Sequence, residues 1–198
     1  MNLTDEERDV LSELVNIGVG QASSTLNEMI GHHIHLKVPR VTMIYEHELH
    51  EYMCDDGDGG MFSSVNMSFQ GDFDGRAMLV FPQKSANILV SSLLGEASDD
   101  GMNELKSGTL VEVGNILING VMGSMANMLG ASLRYTVPDY LECEALHLVK
   151  GESEDGMLLL AEASFVIDDL RVEGNVLLFF QVASFERLLA CVARELAA

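Results

Sequence analysis

Slid against itself by 99 residues, half its length of 198, the chain matches itself without a gap. Leu11 falls on Leu110, Glu13 on Glu112, Asn16 on Asn115 and Ile17 on Ile116. Gly31 falls on Gly130, Val38-Pro39 on Val137-Pro138, Gly75 on Gly174, Phe81 on Phe180, Ser85 on Ser184 and Leu89 on Leu188. Between these identities, apolar positions agree: Leu26 with Met125, Met29 with Met128, Leu79 with Leu178. A fixed internal period means that one supersecondary unit is built twice, and this limits the available folds more than composition does.

Each half reads as helix, three strands, helix. The first helix opens at Thr4, with Glu7 three residues on as in a capping box, and carries Val10, Leu14, Ile17 and Leu26 as its apolar stripe. Gly31 is placed to end it as a left-handed cap. Its counterpart starts near Asn103, carries Leu110, Val113, Ile116 and Leu117, and ends at Gly130. Gly18, Gly20, Gly120 and Gly123 weaken these helices and point to close packing against a neighbour. Extended segments follow at 34–45 and 133–149, with Pro39 and Pro138 inside them. A proline cannot donate to a ladder, so each belongs at an edge or a bulge. Hairpins are expected at 61–81 and 156–181, and closing helices at 84–94 and 185–196. The predicted fold is α+β: one domain over 1–198, made of tandem repeats at about 1–99 and 100–198. About six mostly antiparallel strands would be shared across a pseudo-twofold axis, with helices packed against them.

The net charge of −20 argues against nucleic acid and against an anionic membrane surface, since both recruit Lys and Arg. Trp is absent, so aliphatic residues and the 12 Met must fill the interior. The three cysteines, Cys54, Cys143 and Cys191, are scattered and odd in number, which fits free thiols in a reducing compartment. The N-terminus is polar and acidic rather than a signal peptide, and no apolar run reads as long enough to span a bilayer. A soluble cytoplasmic protein is expected, and its oligomeric state is left open.

Chemistry is suggested by a pair of side chains that occurs twice. Glu13 and Asn16 are three residues apart, so they share one face of the first helix, and Glu112 and Asn115 repeat the spacing. A carboxylate can hold a lysine. A carboxamide has both donors and an acceptor, so it can hold a water without taking its proton. Holding a water in line with a phosphoryl group is one way to speed phosphate hydrolysis. For a single helix, two solvated polar residues would be the simpler reading; repetition at one offset favours function.

The full pattern Asp9-x3-Glu13-x2-Asn16-x22-Pro39 resembles the signature of the CheC/CheX/FliY family of bacterial chemotaxis phosphatases, and Glu112-x2-Asn115-x22-Pro138 repeats it. Two signatures in one short chain are similar to the CheC-like branch. The resemblance implies an aspartyl-phosphate phosphatase acting on a CheY-type response regulator. Glu13 and Glu112 would bind the regulator's active-site lysine, and Asn16 and Asn115 would orient the attacking water. The implied Mg²⁺ belongs to the regulator, so no cofactor or metal is expected on this chain. The resemblance also implies a second partner class, the CheD receptor deamidase, and with it an alternative reading as a binding module that acts mainly through such a partner. The second copy departs from the pattern: Gly108 stands where the first has Asp9, with Ser107 one place away. Asn119 adds a polar group one turn after Asn115.

Other motifs are weaker. His32, His33 and His35 are better read as surface residues than as metal ligands, because no cysteine accompanies them. The acidic run 55–60 lacks the glutamate that closes a calcium loop. No GxSxG elbow, P-loop or GxGxxG is present.

Overall fold

The computed structural model describes residues 4–37, 39–48, 61–95, 102–144, 147–148 and 157–196. The elements are α1 (Asp5–Ile30), β1 (Ile34–Leu36), β2 (Arg40–Tyr45), β3 (Met61–Gly71), β4 (Gly75–Pro82), α2 (Gln83–Leu94), α3 (Met102–Met128), β5 (Leu133–Tyr135), β6 (Asp139–Glu144), β7 (Met157–Ile167), β8 (Val172–Gln181) and α4 (Val182–Leu196). Val38, Cys54 and the run 55–60 lie outside the described residues.

Local chemistry accounts for the ends of α1. The Glu7 N–H donates to Thr4 Oγ1 at 3.2 Å and the Thr4 N–H donates to Glu7 Oε2 at 2.9 Å, closing a capping box. Gly31 takes φ +67° and its N–H donates to the Asn27 carbonyl at 2.9 Å, the left-handed cap that favours glycine.

The α+β class stands, but the described strands number eight rather than six. Each extended segment that reads as one strand is broken at its proline. In the first half, Leu36 pairs Phe165 and Arg40 pairs Glu162, so four steps on one strand match three on β7. In the second, Tyr135 pairs Phe69 and Asp139 pairs Asn66, the same mismatch against β3. Pro39 and Pro138 therefore sit at one-residue bulges between edge strands, where a missing N–H costs no ladder bond.

The sheet path is β1-β7-β8-β4-β3-β5, with β2 also on β7 and β6 also on β3. Each half thus lends its first two strands to the hairpin of the other half. All described pairings are antiparallel. A single offset does not hold throughout. Equivalent bonds run from Lys37 N–H to the Ser164 carbonyl and from Thr136 N–H to the Ser68 carbonyl. The donors are 99 apart (136 minus 37), but the acceptors are 96 apart (164 minus 68). β3 is therefore displaced by three positions relative to β7, and the β7–β8 turn takes up the difference.

All four helices cover one sheet face. Leu11, Val15, Val19 and Leu26 of α1 and Leu110, Val113, Leu117 and Val121 of α3 join one buried cluster with Val65, Met67, Leu79, Phe81, Leu178 and Phe180. Ala86 and Leu89 of α2 and Leu188 and Val192 of α4 belong to the same cluster. Ile17, expected in the stripe of α1, is instead 37% exposed, because Val15 and Val19 on the neighbouring turn face the core. The long helices touch at glycine. A Cβ on Gly18 would lie 2.9 Å from the Val121 carbonyl oxygen, and one on Gly120 would lie 2.8 Å from the Ala22 Cβ. Gly20 and Gly123 meet nothing within 4 Å, so close packing explains only two of the four.

The span Glu104–Met128 corrects one sequence expectation. It has 25 residues, and an 18-residue window within it has a mean hydropathy of 1.2, long and apolar enough in composition to cross a membrane. In the fold 56% of that window is buried, packed against α1 and the sheet, which marks α3 as a core helix.

Candidate active site

The packing of α1 and α3 decides where their polar pairs point. On α1, Leu14 and Val15 are buried, and Glu13 and Asn16 face solvent. On α3, Val113, Gly114 and Leu117 are buried, Glu112 is exposed and Asn115 is half-buried. Both Glu-x-x-Asn pairs are therefore presented outward by helices whose opposite faces are locked in the core.

The two presentations differ. A Cβ on Gly114 would lie 2.5 Å from Val65 Cγ1, so α3 approaches β3 more closely than a side chain at that position would allow. The counterpart on α1 is Val15. Asn119 Nδ2 donates to Asn115 Oδ1 at 2.6 Å, and the counterpart of Asn119 is Gly20. Asp9 has no equivalent in the second copy. Gly108 faces open space, and the Ser107 hydroxyl turns back to donate to the Glu104 carbonyl at 3.0 Å.

A polar network steadies the start of α3. The buried Lys106 ammonium donates to Glu142 Oε1 at 2.5 Å, and the Tyr140 hydroxyl donates to the same oxygen at 2.6 Å. Ser63 Oγ lies 3.1 Å from the Tyr140 hydroxyl. Lys106, and after it Tyr140, holds the Glu142 carboxyl below the usual carboxylate range. Burial, reinforced by Glu142, pushes the Tyr140 hydroxyl upward. At the β3–β4 turn Asp74 is also held low. Its burial is outweighed by the Gly71 N–H and by Arg187.

The histidines place His33 and His35 edge to face at 4.7 Å, and His32 Nδ1 lies 3.4 Å from Asp169 Oδ2. Among the described residues no group of three His, Cys, Asp or Glu could hold a metal ion. Cys143 and Cys191 are free thiols, half-buried and buried. Ile17 and Ile116 flank the two asparagines on the outer side, Ile17 exposed and Ile116 half-buried. Their identity at the repeat offset was the available signal, but a helical stripe absorbs an isoleucine easily.

A model of the CheC-like family matches residues 6–43, a stretch that holds Asp9, Glu13, Asn16 and Pro39. The CheY-P phosphatase CheC of Bacillus subtilis is 22% identical over 98% of this chain and 97% of its own. The crystal structure of Thermotoga maritima FliY superposes with a TM-score of 0.75 at 19% identity, over 98% of this chain and 100% of that one. The chain is similar to CheC-like proteins in sequence and shares the fold of FliY. A CheX from Borrelia burgdorferi, solved as a complex with CheY, BeF3 and Mg²⁺, superposes at a TM-score of 0.57 and 22% identity, covering 85% of this chain and 97% of its own. The family model reaches from α1 through β1 into β2, and so includes the bulge at Pro39.

Proposed function

We propose that this protein is a cytoplasmic phosphatase that hydrolyses the aspartyl phosphate of a CheY-type response regulator. One observation carries the reading: a Glu-x-x-Asn pair stands on the outer face of each of the two core helices, in a chain whose relatives include a CheY-P phosphatase. The pairs are built to complete another protein's site. Glu13 or Glu112 takes the regulator's lysine, which docks and orients the two proteins. Asn16 or Asn115 accepts a hydrogen from a water through Oδ1 and aims the water oxygen at phosphorus. The water oxygen bonds to phosphorus, the bond from phosphorus to the aspartyl oxygen breaks, and inorganic phosphate and a free carboxylate result. Because the carboxamide cannot take the proton outright, its contribution is positioning. Mg²⁺ is assigned to the regulator, where it neutralises phosphoryl charge.

The test is the decay of phosphorylated CheY-type regulator with Mg²⁺, with and without this protein. Asn16→Ala and Asn115→Ala should each remove one site's contribution. The double variant should lose about tenfold or more of the acceleration. A wild-type protein that binds the regulator without hastening decay would instead be a binding module, with a CheD-type deamidase as its first candidate partner.

A further inference from the structure

We infer that Asn119 is a positioning residue that makes the two sites unequal and the second the faster one. The inference rests on the phosphatase reading above. Asn119 stands one helical turn beyond Asn115, and its Nδ2 donates to Asn115 Oδ1 at 2.6 Å. A carbonyl oxygen carries two lone pairs. One accepts from Asn119, and the other stays available for a hydrogen of the attacking water. In this arrangement the oxygen of the Asn115 carboxamide, not its amide nitrogen, faces Asn119.

Asn16 has no such partner in its own helix. The residue one turn on is Gly20, which has no side chain and open space around it. Asn16 is exposed, and its carboxamide must give up its rotation when a regulator docks. Asn115 is half-buried beside Gly114, where α3 sits tight against Val65 of β3, and it begins already oriented. Preorganisation of this kind acts on the chemical step rather than on capture of the partner. The missing counterpart of Asp9 in the second copy concerns Gly108, about three turns from Asn119, and does not touch this bond.

The experiment uses the intact chain in single-site backgrounds. With Asn16→Ala isolating the second site, Asn119→Ala should lower kcat roughly two- to fivefold, the effect of one weak side-chain bond strengthened when docking excludes water. KM should stay within about a factor of two, since the docking glutamate is untouched. Asn119→Asp should be worse than Asn119→Ala, because a carboxylate accepts from the Asn115 amide and turns its oxygen away. With Asn115→Ala isolating the first site, Gly20→Asn should raise kcat above the Gly20→Ala control, which corrects for the gain in helix propensity. Unchanged or increased kcat in Asn119→Ala would overturn the inference, as would a Gly20→Asn variant no faster than its control. Acceleration that survives in the Asn16→Ala/Asn115→Ala double variant would instead overturn the phosphatase assignment of these asparagines, whatever Asn119 does.

Discussion

Met78 stands directly opposite Leu177 in the β4–β8 ladder, and the two are separated by the repeat spacing itself, 99 residues (177 minus 78). The pseudo-twofold axis therefore passes between them, at the centre of the sheet, and the halves meet through a continuous ladder rather than a surface contact. Because among the described residues β1 and β2 pair only with β7, and β5 and β6 only with β3, a half alone leaves its first two strands without a ladder. Fragments 1–99 and 100–198 should therefore show no cooperative unfolding as monomers, and should regain it when mixed. A folded monomeric half in the ultracentrifuge would refute this account of the fold.

The helix contact makes opposite predictions for neighbouring glycines. Gly18→Ala drives a Cβ to 2.9 Å from the Val121 carbonyl oxygen, and the backbone cannot swing aside as a side chain could. We expect a loss of about 1–3 kcal/mol in urea unfolding. Gly20→Ala meets nothing within 4 Å and should gain about 0.5–1 kcal/mol. Equal effects at the two positions would mean that α1 and α3 are not packed as described.

The Lys106–Glu142 pair should leave a signature in pH. A carboxyl held low when folded contributes stability above its unfolded pKa, near 4.3, and that stability disappears as pH falls through the folded value. Lys106→Met should cost about 1–2 kcal/mol at pH 7, toward the low end for a buried ion because about a third of the Glu142 side chain faces water. The gap between wild type and variant should close as pH drops from about 5 toward 3. A gap independent of pH would show that packing of the lysine stem, not its charge, matters.

Ile17 supplies apolar surface beside Asn16. If docking buries it, Ile17→Ser in the Asn115→Ala background should weaken binding by about 1 kcal/mol. KM for the phosphorylated regulator should then rise about fivefold, with kcat at saturation nearly unchanged. A change confined to kcat would place Ile17 in orienting Asn16 instead.

Much of the fold was legible because its signals are local. Thr4 with Glu7, and Gly31, mark the ends of α1 through bonds made within one turn. Pro39 and Pro138 marked edge bulges because a missing N–H is a property of the residue itself. What was misread depended on distant partners. Ile17 matches a helical stripe as well as Leu14 does, and only the position of the sheet and of α3 turns one outward and the other inward. Gly18 and Gly20 look alike in the chain, yet only Gly18 lies against Val121. Ser85 and Ser184 align as a repeat identity. Their role is visible only in the fold: Ser85 Oγ accepts from the Glu173 N–H at 3.4 Å, and Ser184 Oγ donates to Asp74 at 3.4 Å, each reaching into the opposite half.

The sequence by itself determined the residue matches at a 99-residue offset, the helix ends, the proline breaks and the spacing of each Glu from its Asn, because each follows from spacing along one chain or one helix. Tertiary structure alone decided that the halves exchange edge strands, that β3 is displaced by three positions against β7, and that Asn115 has a tethered oxygen where Asn16 does not. Helix ends and breaks are set by backbone groups within a few residues. Strand order, register and the seating of a helix on a sheet are set by which apolar faces bury each other, and such contacts join residues far apart in the chain.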